Sequence, residues 1–505
     1  MSVLTLNLLI NLRGVTTFVG TSLVKMAHAL CLGGDDIKDC QLVAPTTRAD
    51  NTRGLSVATM YRKLKAVGDD EAASTRLNTA IARARHRVWA QLEDCNPACV
   101  ASIDNPMVVD IDATLIAVHP DKEQARANRG NYGYHPLVAA VDYGDQLGGE
   151  ILHIMCRAGN AGANTATDHI TMLSSILDAV GHSHGDGTPW GKRLAIRVDG
   201  AGGTKQFLQH LHDQKLGFIV GLPTTHAIVA LTHDLAQSGV QPLRPVPEIT
   251  ADAITTLFDT TNHTTKGSDP TTTSTTNTTQ DSADSDGQAS APAGIIDALC
   301  LLLNNDHLPD EYIADITPLL KLGGYNTRLA TDDYPPDMRV IMRVSYPQSG
   351  ARPTTLDHKG RRLQICGTNL DLTPAELDRL YYQRARCEQR ISEAKELSLT
   401  SMPSASFAIN TIWAHVVGLA HSLLSWIKLL SFHHATTSTN PTDPHWHNIW
   451  SWQPKTLRAR LLSTAASIST HARTITIRFD AYNRYTNLLK RILAIIRNHT
   501  QPPSR

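Results

Sequence analysis

The stretch MVVDIDATLIAV, Met107 to Val118, is dense in Val, Ile and Leu and predicts a buried β-strand. Because side chains alternate along a strand, Asp110 and Asp112 point to the same face. Two carboxylates inside an apolar strand are costly to bury unless they are paired or bind a metal ion. This strand therefore indicates both the start of a sheet and a candidate functional site.

The segments that follow predict further strands and helices in a recognisable order. The predicted strands are His135–Asp142, Glu150–Cys156, Arg193–Asp199 and Phe218–Leu222, and the predicted helices are Asn164–Val180 and Thr204–Gln214. Three consecutive strands followed by alternating helix and strand are an α/β pattern. This is also the element order of a ribonuclease-H-like domain.

A second acid at a strand end is Asp199, which closes RLAIRVD and is followed by glycines at 200, 202 and 203. When a strand ends in Asp and glycines follow it, the absence of side chains lets a substrate backbone approach closely. An acid that caps a helix or a turn is the alternative interpretation.

The segment from Thr373 to about Leu397 predicts a long helix with a capping box, since Thr373 is followed by Pro374 and Glu376. At about 100° per residue, four polar side chains lie within roughly 60° of one another on such a helix: Tyr381, Arg384, Glu388 and Lys395. An ordinary surface pair between Arg384 and Glu388 would contribute only a few tenths of a kcal/mol and is the simpler explanation of two of them.

The remaining chain divides into regions of different composition. We expect a helical N-terminal region, 1–100, a catalytic core formed by 105–222 and 371–432, an insertion domain at 223–370, and a C-terminal region at 433–505. The insertion is predicted to be β-rich, with a strand at Arg339–Ser345, and to contain a disordered loop rich in Thr, Ser and Asp at 259–294. A second long helix is expected at Phe407–Leu430.

A short helix capped by Ser56 is a candidate DNA-binding element, because Arg62 and Lys65 lie along it. An ordinary amphipathic helix explains the same pattern. The net charge of zero argues against attraction of the whole protein to nucleic acid. The segment from Trp450 to Arg505 is nevertheless basic, with ten Lys or Arg residues and one acid.

Other classes of site receive little support from the composition. The eight cysteines contain no C-x-x-C pair and favour reduced thiols in a cytosolic protein, and no signal peptide or membrane span is expected. Four histidines between 433 and 447 lack an accompanying cysteine, which favours a solvated loop over a zinc site. The aromatic content of 5% argues against a glycosidase with a sugar-binding cleft.

The spacing Tyr381, Arg384, Glu388, Lys395 resembles the helix signature of a large group of insertion-sequence transposases. The resemblance is closest to the insertion-sequence 1380 family of DDE transposases and extends over most of the chain. The other segments that carry it are Leu32–Asp39, Gly54–Leu64, Asp110–Thr114, Gly130–Leu137, Arg157–Asn164, Ile196–Gly202 and the helix containing Asn410.

This resemblance implies that Asp112, Asp199 and Glu388 are the catalytic acids and hold two Mg²⁺ or Mn²⁺ ions. Asp112 is favoured because Thr114 follows it at the family's interval, and it would bridge the ions; Asp110 remains a neighbour or a possible substitute. Tyr381, Arg384 and Lys395 would hold DNA phosphates.

The implied activity is cut-and-paste transposition, with binding of the terminal inverted repeats, metal-dependent strand cleavage and strand transfer. The implied partners are double-stranded DNA, at the transposon ends and at the target, and a second copy of the chain. The enzyme would work in the cytoplasm on the nucleoid. Two alternatives remain open: a catalytically inactive DNA-binding derivative of a transposase, and a ribonuclease-H-like nuclease without strand transfer.

Overall fold

A computed structural model of the protein describes residues 18–40, 56–128, 130–224, 312–317, 333–347, 350–352, 357, 360–437, 446, 448–471 and 474–500. The predicted Thr-rich loop, 259–294, lies outside these residues. Statements below about the fold refer to this part of the chain.

A mixed sheet of eight strands forms the centre of the molecule, in the order β6-β5-β1-β7-β8-β11-β10-β9. Its strands are β1 (Met107–Ala113), β5 (Leu137–Asp142), β6 (Gly149–Met155), β7 (Leu194–Val198), β8 (Gly217–Leu222), β9 (Tyr312–Asp315), β10 (Arg339–Ser345) and β11 (Arg362–Thr368). β1, β7 and β8 are parallel to one another, and the remaining pairings are antiparallel. The α/β prediction is thus confirmed, and the strands of the predicted insertion extend the same sheet.

Two small sheets complete the strand inventory of the described residues. The first contains β2 (Ile116–Ala117), β3 (Arg126–Asn128) and β4 (Asn131–Tyr134), and the second pairs β12 (Ala466–His471) with β13 (Thr474–Phe479). The prediction of one continuous strand from Met107 to Val118 was therefore wrong. The ladder between β1 and β5 ends at the pair Ala113 and Leu137, because the next partner, Pro136, has no N–H to donate.

Helices cover both faces of the central sheet. Their bounds are α1 (Phe18–Cys31), α2 (Val57–Gly68), α3 (Glu71–Ala90), α4 (Pro97–Val100), α5 (Ala166–Val180), α6 (Lys205–Asp213), α7 (Pro374–Tyr382), α8 (Ala385–Glu396), α9 (Phe407–Thr437), α10 (Pro454–Leu457) and α11 (Thr486–Thr500). Val109 and Ile111 pack into the larger apolar cluster with α5 and α6, whereas Val108 belongs to the cluster on α7. Alternation therefore sends Asp110 and Asp112 to the face on which Val108 lies.

The single helix predicted from Thr373 to Leu397 is in fact two helices, α7 and α8. The capping box is confirmed, since Thr373 and Glu376 exchange both hydrogen bonds. At the break, the Leu380 carbonyl, which would accept the Arg384 N–H in a continuous helix, accepts a hydrogen bond from Nη1 of Arg197. The Arg384 N–H donates to the Tyr381 carbonyl at 3.1 Å, which tightens the turn.

Helix α9 is the central helix of the fold and contacts α1, α2, α3 and β6. By length and composition it could cross a membrane, but 83% of its most apolar window is buried inside the protein, as in the core helix of a globular domain. Two of the four clustered histidines, His433 and His434, belong to this helix, and His433 is buried. The predicted solvated loop is therefore wrong for these two, because the helix continues beyond Leu430; the other two histidines lie outside the described residues.

Candidate active site

Asp112 and Asp199 lie side by side where two neighbouring parallel strands end. Ile111 of β1 is the register partner of Val198 of β7, so the next residue on each strand carries one of the two acids. The chain turns sharply after Asp199, whose Oδ1 accepts the Gly202 N–H at 2.8 Å. The two strands thus place both carboxylates at one edge of the sheet.

The glycines after Asp199 serve packing inside the protein. A Cβ at residue 203 would lie 1.9 Å from Cγ2 of Val220, and one at residue 202 would lie 2.9 Å from Nε2 of His169. Glycine is required here because the turn lies directly against α5 and β8. The expectation that these glycines make room for a substrate backbone has no counterpart in these contacts.

The third acid, Glu388, lies in the first turn of α8, and Arg384 precedes that helix. Nη2 of Arg384 is 3.4 Å from Oδ2 of Asp112 and 3.9 Å from Oδ2 of Asp199, and its Nη1 is 3.9 Å from Oε1 of Glu388. One guanidinium therefore faces three carboxylates from three separate elements. Their side chains become more exposed in the order Asp112, Asp199, Glu388, at 14%, 38% and 69%.

The charges at this site depend on one another. Burial raises the pKa of Asp112, the Arg384 guanidinium opposes that rise, and the neighbouring Asp199 carboxylate adds to it. Burial disfavours the charge of Arg384, but Asp112 and Asp199 together raise its pKa above the ordinary value. Nε of Arg384 is buried and has no hydrogen-bond partner among the described residues. The arginine therefore balances the acids while one of its donors remains unused.

The other residues of the predicted helix signature divide into two groups. The Tyr381 hydroxyl lies against Gly221, beside Gly200 of the turn after Asp199, and burial raises the pKa of this phenol. Lys395 lies in the last turn of α8, is half-buried and makes no described ion pair with the three acids. The structure thus brings Tyr381 and Arg384 to the acids and leaves Lys395 along the helix.

The predicted DNA-binding residues of the N-terminal region lie on the exposed side of α2. Ser56 caps this helix by accepting the Thr59 N–H at 3.2 Å, which confirms the predicted cap. Arg62 and Lys65 are exposed; Lys65 pairs with Asp69 at 2.8 Å, and Arg62 donates to Thr59. Neither makes a described contact with the carboxylates of the candidate site.

Asp110 is fully engaged by a partner that the sequence analysis did not identify. Its Oδ1 accepts from Nε of Arg197 at 2.6 Å and its Oδ2 from Nη2 at 2.8 Å, in a bidentate pair. Burial raises the pKa of Asp110 to about 6, and the bonds from Arg197 oppose that rise. The sequence pattern could have predicted this pair, because Asp-x-Asp on β1 lies beside Arg-x-Asp at the end of β7.

Three carboxylates are a suitable donor set for a hard divalent cation such as Mg²⁺ or Mn²⁺. In the described residues, no group of three or more His, Cys, Asp or Glu is close enough together to hold a metal ion. Arg384 lies among the carboxylates and supplies the positive charge. The carboxylates are thus the right kind of ligand for a divalent ion. In this structure they are too far apart to bind one together, and Arg384 neutralises their charge.

The large mixed sheet fits the α/β domain of a transposase. The chain belongs to the family described as Transposase DDE domain group 1, whose model matches residues 25–254 and 323–501, more than half of its length. No curated protein matches the sequence significantly. The whole Thr-rich tract, 259–294, lies between the two matched segments. Membership of this family indicates a transposase, and DDE domains generally use divalent metal ions.

Proposed function

We propose that the protein is a cut-and-paste DNA transposase in which Asp112, Asp199 and Glu388 are the catalytic, metal-binding acids. The observation that carries the proposal is the convergence of these three carboxylates, from β1, β7 and α8, on the single guanidinium of Arg384. Two Asp and one Glu are the acids that a DDE domain requires. The family assignment supports DDE chemistry, and the geometry supports these three residues as its acids.

The proposal includes a ribonuclease-H-like core. Three antiparallel strands in the order β6-β5-β1, followed by the parallel strands β7 and β8, support it. The catalytic acids then occupy the first strand, the end of the fourth strand of this core and a helix after the sheet. The signature around Arg384 and Glu388 and the other matching segments support membership of the insertion-sequence 1380 family.

Cleavage of a phosphodiester needs an activated oxygen nucleophile and neutralisation of charge on the transition state and the leaving oxygen. Two divalent ions, Mg²⁺ or Mn²⁺, supply both when they are bound. Asp112, Asp199 and Glu388 would together hold these ions.

Arg384 would position the DNA backbone at these acids. Its Nη contacts with the carboxylates are 3.4–3.9 Å long, longer than ordinary hydrogen bonds, so these donors remain for a phosphate oxygen. Tyr381 lies beside the Asp199 turn and would contact the same strand. Lys395, Arg62 and Lys65 would bind phosphates further along the duplex.

The substrates in this proposal are the terminal inverted repeats of the protein's own insertion sequence and a target duplex. A homodimer on DNA would bring the two ends together, and the work would take place in the cytoplasm at the nucleoid. The exposed α2 face and the basic C-terminal region provide surfaces for the duplex.

The test is strand cleavage of the gene's flanking DNA by purified protein with Mg²⁺ or Mn²⁺, beside Glu388→Ala. Glu396→Ala is the matched control, because Glu396 is an exposed acid on the same helix. Metal-dependent cuts at the repeat ends by wild type and by the control, reduced roughly 1,000-fold or more in Glu388→Ala, are expected.

Asp112→Ala and Asp199→Ala should lose cleavage in the same way while DNA binding stays measurable. Full cleavage by any of the three variants would overturn the assignment of that acid. Specific binding without cleavage by wild type would indicate an inactive derivative, and cleavage without joining to a target would indicate a nuclease.

A further inference from the structure

Arg197 makes an unusual set of contacts for one buried side chain. It is fully buried in the middle of the sheet and donates to both oxygens of Asp110, to Oδ2 of Asp142 at 3.0 Å, and to the Leu380 carbonyl. Asp142 in turn accepts from Arg386 at 2.9 Å. We call Arg197, Asp110 and Asp142 the Arg197 clamp.

The clamp connects every element that carries a proposed catalytic acid. Asp110 lies two residues before Asp112 on β1, and Arg197 lies two residues before Asp199 on β7, so each shares a face with its neighbouring acid. Leu380 is in the last turn of α7, directly before the Arg384 and Glu388 segment. Asp142, at the end of β5, reaches α8 through Arg386.

The clamp also contacts the chain where the helix breaks. Arg197 donates to the carbonyl that would accept the Arg384 N–H in a continuous helix, at the point where α7 ends and Arg384 turns toward the acids. A continuous helix would place Arg384 and Glu388 in a different orientation to β1 and β7.

We propose that Asp110 and Arg197 are positioning residues, which hold Arg384 and Glu388 in register with Asp112 and Asp199 by locking the α7–α8 turn onto β1 and β7. Asp110 is therefore neither a metal ligand nor a substitute for Asp112. The catalytic consequence of the clamp rests on the proposed function, whereas its effect on the turn does not.

Asp110→Asn and Arg197→Lys test the clamp. Asparagine keeps the shape of Asp110 but removes its charge, and lysine keeps the buried charge but cannot reproduce the bidentate fork. Arg197→Lys leaves Asp110 with a cationic neighbour, so it is the variant to rely on if Asp110→Asn does not fold.

Glu150→Gln is the matched control. Glu150 is also a fully buried acid in the same sheet, bonded by Arg85 at 2.7 Å, and Arg85 likewise donates to a helix carbonyl, that of Ala179. This pair joins α3 to the edge strand β6, which lies two strands from β1 in the sheet. Glu150→Gln should therefore show the loss of stability that comes from breaking a buried ion pair, without changing a contact of the α7–α8 turn.

The first measurement is amide hydrogen exchange of the full-length protein over residues 380–392. Asp110→Asn and Arg197→Lys should exchange there about tenfold faster than wild type, as expected for the loss of a charge-assisted hydrogen bond. Glu150→Gln should leave this segment unchanged. Wild-type exchange over 380–392 in both clamp variants would overturn the proposal.

The second measurement is the cleavage kinetics of the same variants. We expect kcat to fall about 10- to 100-fold in both clamp variants, the usual effect of losing an outer partner of a ligand, with an unchanged KM for DNA. Unchanged kcat in Arg197→Lys beside an inactive Asp110→Asn would make Asp110 a ligand and overturn the proposal. If wild type cleaves no DNA, the proposed function fails. The exchange measurement alone then tests whether the clamp holds the α7–α8 turn in place.

Discussion

Nη2 of Arg384 lies 3.4 Å from Oδ2 of Asp112, the most buried of the three carboxylates that surround this guanidinium. Asp199 and Glu388 complete the cluster at 3.9 Å. In the absence of another cation, Arg384 is the charge that keeps three acids together at one sheet edge. This arrangement has a measurable consequence for stability.

Arg384→Gln should lower the thermal stability of the metal-free protein and increase its response to a divalent ion. Loss of the guanidinium leaves the carboxylates facing one another, at a cost of about 1 kcal/mol for partly exposed ion pairs. Added Mn²⁺ would then neutralise the repulsion that Arg384 offsets in wild type. The measurement is the unfolding temperature in EDTA and in Mn²⁺.

Arg379→Gln is the control for this comparison, since Arg379 is an exposed arginine on α7. It should behave as wild type in both conditions. An Arg384→Gln variant whose melting temperature responds to Mn²⁺ no more than that of wild type would contradict the role given to Arg384.

Acid should destabilise the fold through buried histidines. Burial lowers the pKa of His415 to about 4, and burial together with the neighbouring His415 lowers that of His153 to about 3; their rings lie 4.9 Å apart. The unfolded chain takes up protons near pH 6.5 and the folded chain only near pH 4, so stability is lost as the pH falls between these values.

For His415 the loss between pH 7.5 and pH 5.5 should be about 1 kcal/mol. Urea unfolding at the two pH values should show a smaller difference for His415→Phe than for wild type. His182→Asn, at an exposed histidine, should retain the full difference. An equal pH dependence in His415→Phe and wild type would show that this histidine does not contribute.

Arg62→Ala and Lys65→Ala should weaken binding to all duplexes, because their proposed contacts are with phosphates. The Lys65–Asp69 pair is exposed on both sides and contributes little, so Lys65 can exchange it for DNA. Each variant should reduce the slope of log K against log salt by about 1. Arg76→Ala on α3 is the control, and an unchanged slope in both α2 variants would remove α2 from the DNA surface.

Deletion of residues 261–291 should leave folding intact. The tract is rich in Thr, Ser and Asp, has few apolar residues and lies between the two segments that match the family. Such a segment buries too little apolar surface to stabilise the domain. Thermal unfolding of the deletion variant should follow that of wild type, and a large drop in melting temperature would show that the tract contributes to the fold.

Local patterns predicted the elements that carry the three acids, whereas the choice of these acids came from the resemblance to a transposase family. The apolar run from Met107 and the strand ending in Asp199 placed two acids at sheet positions that the structure shares. The capping box at Thr373 located the start of the helix that leads to Glu388. These signals depend on contacts between residues one to four positions apart, which a sequence displays directly.

The sequence by itself determined the alternation that puts Asp110 and Asp112 on one face, and the caps and strand ends around the acids. Only the tertiary structure decided that α7 and α8 separate, and that Asp110 belongs to Arg197. Arg197 and the Leu380 carbonyl are 183 residues apart, and Arg197 and Asp110 are 87 apart. A side chain from a distant strand can bond a carbonyl that would otherwise accept a helical N–H. Helix propensity depends on residues close in sequence, so it cannot predict such a contact.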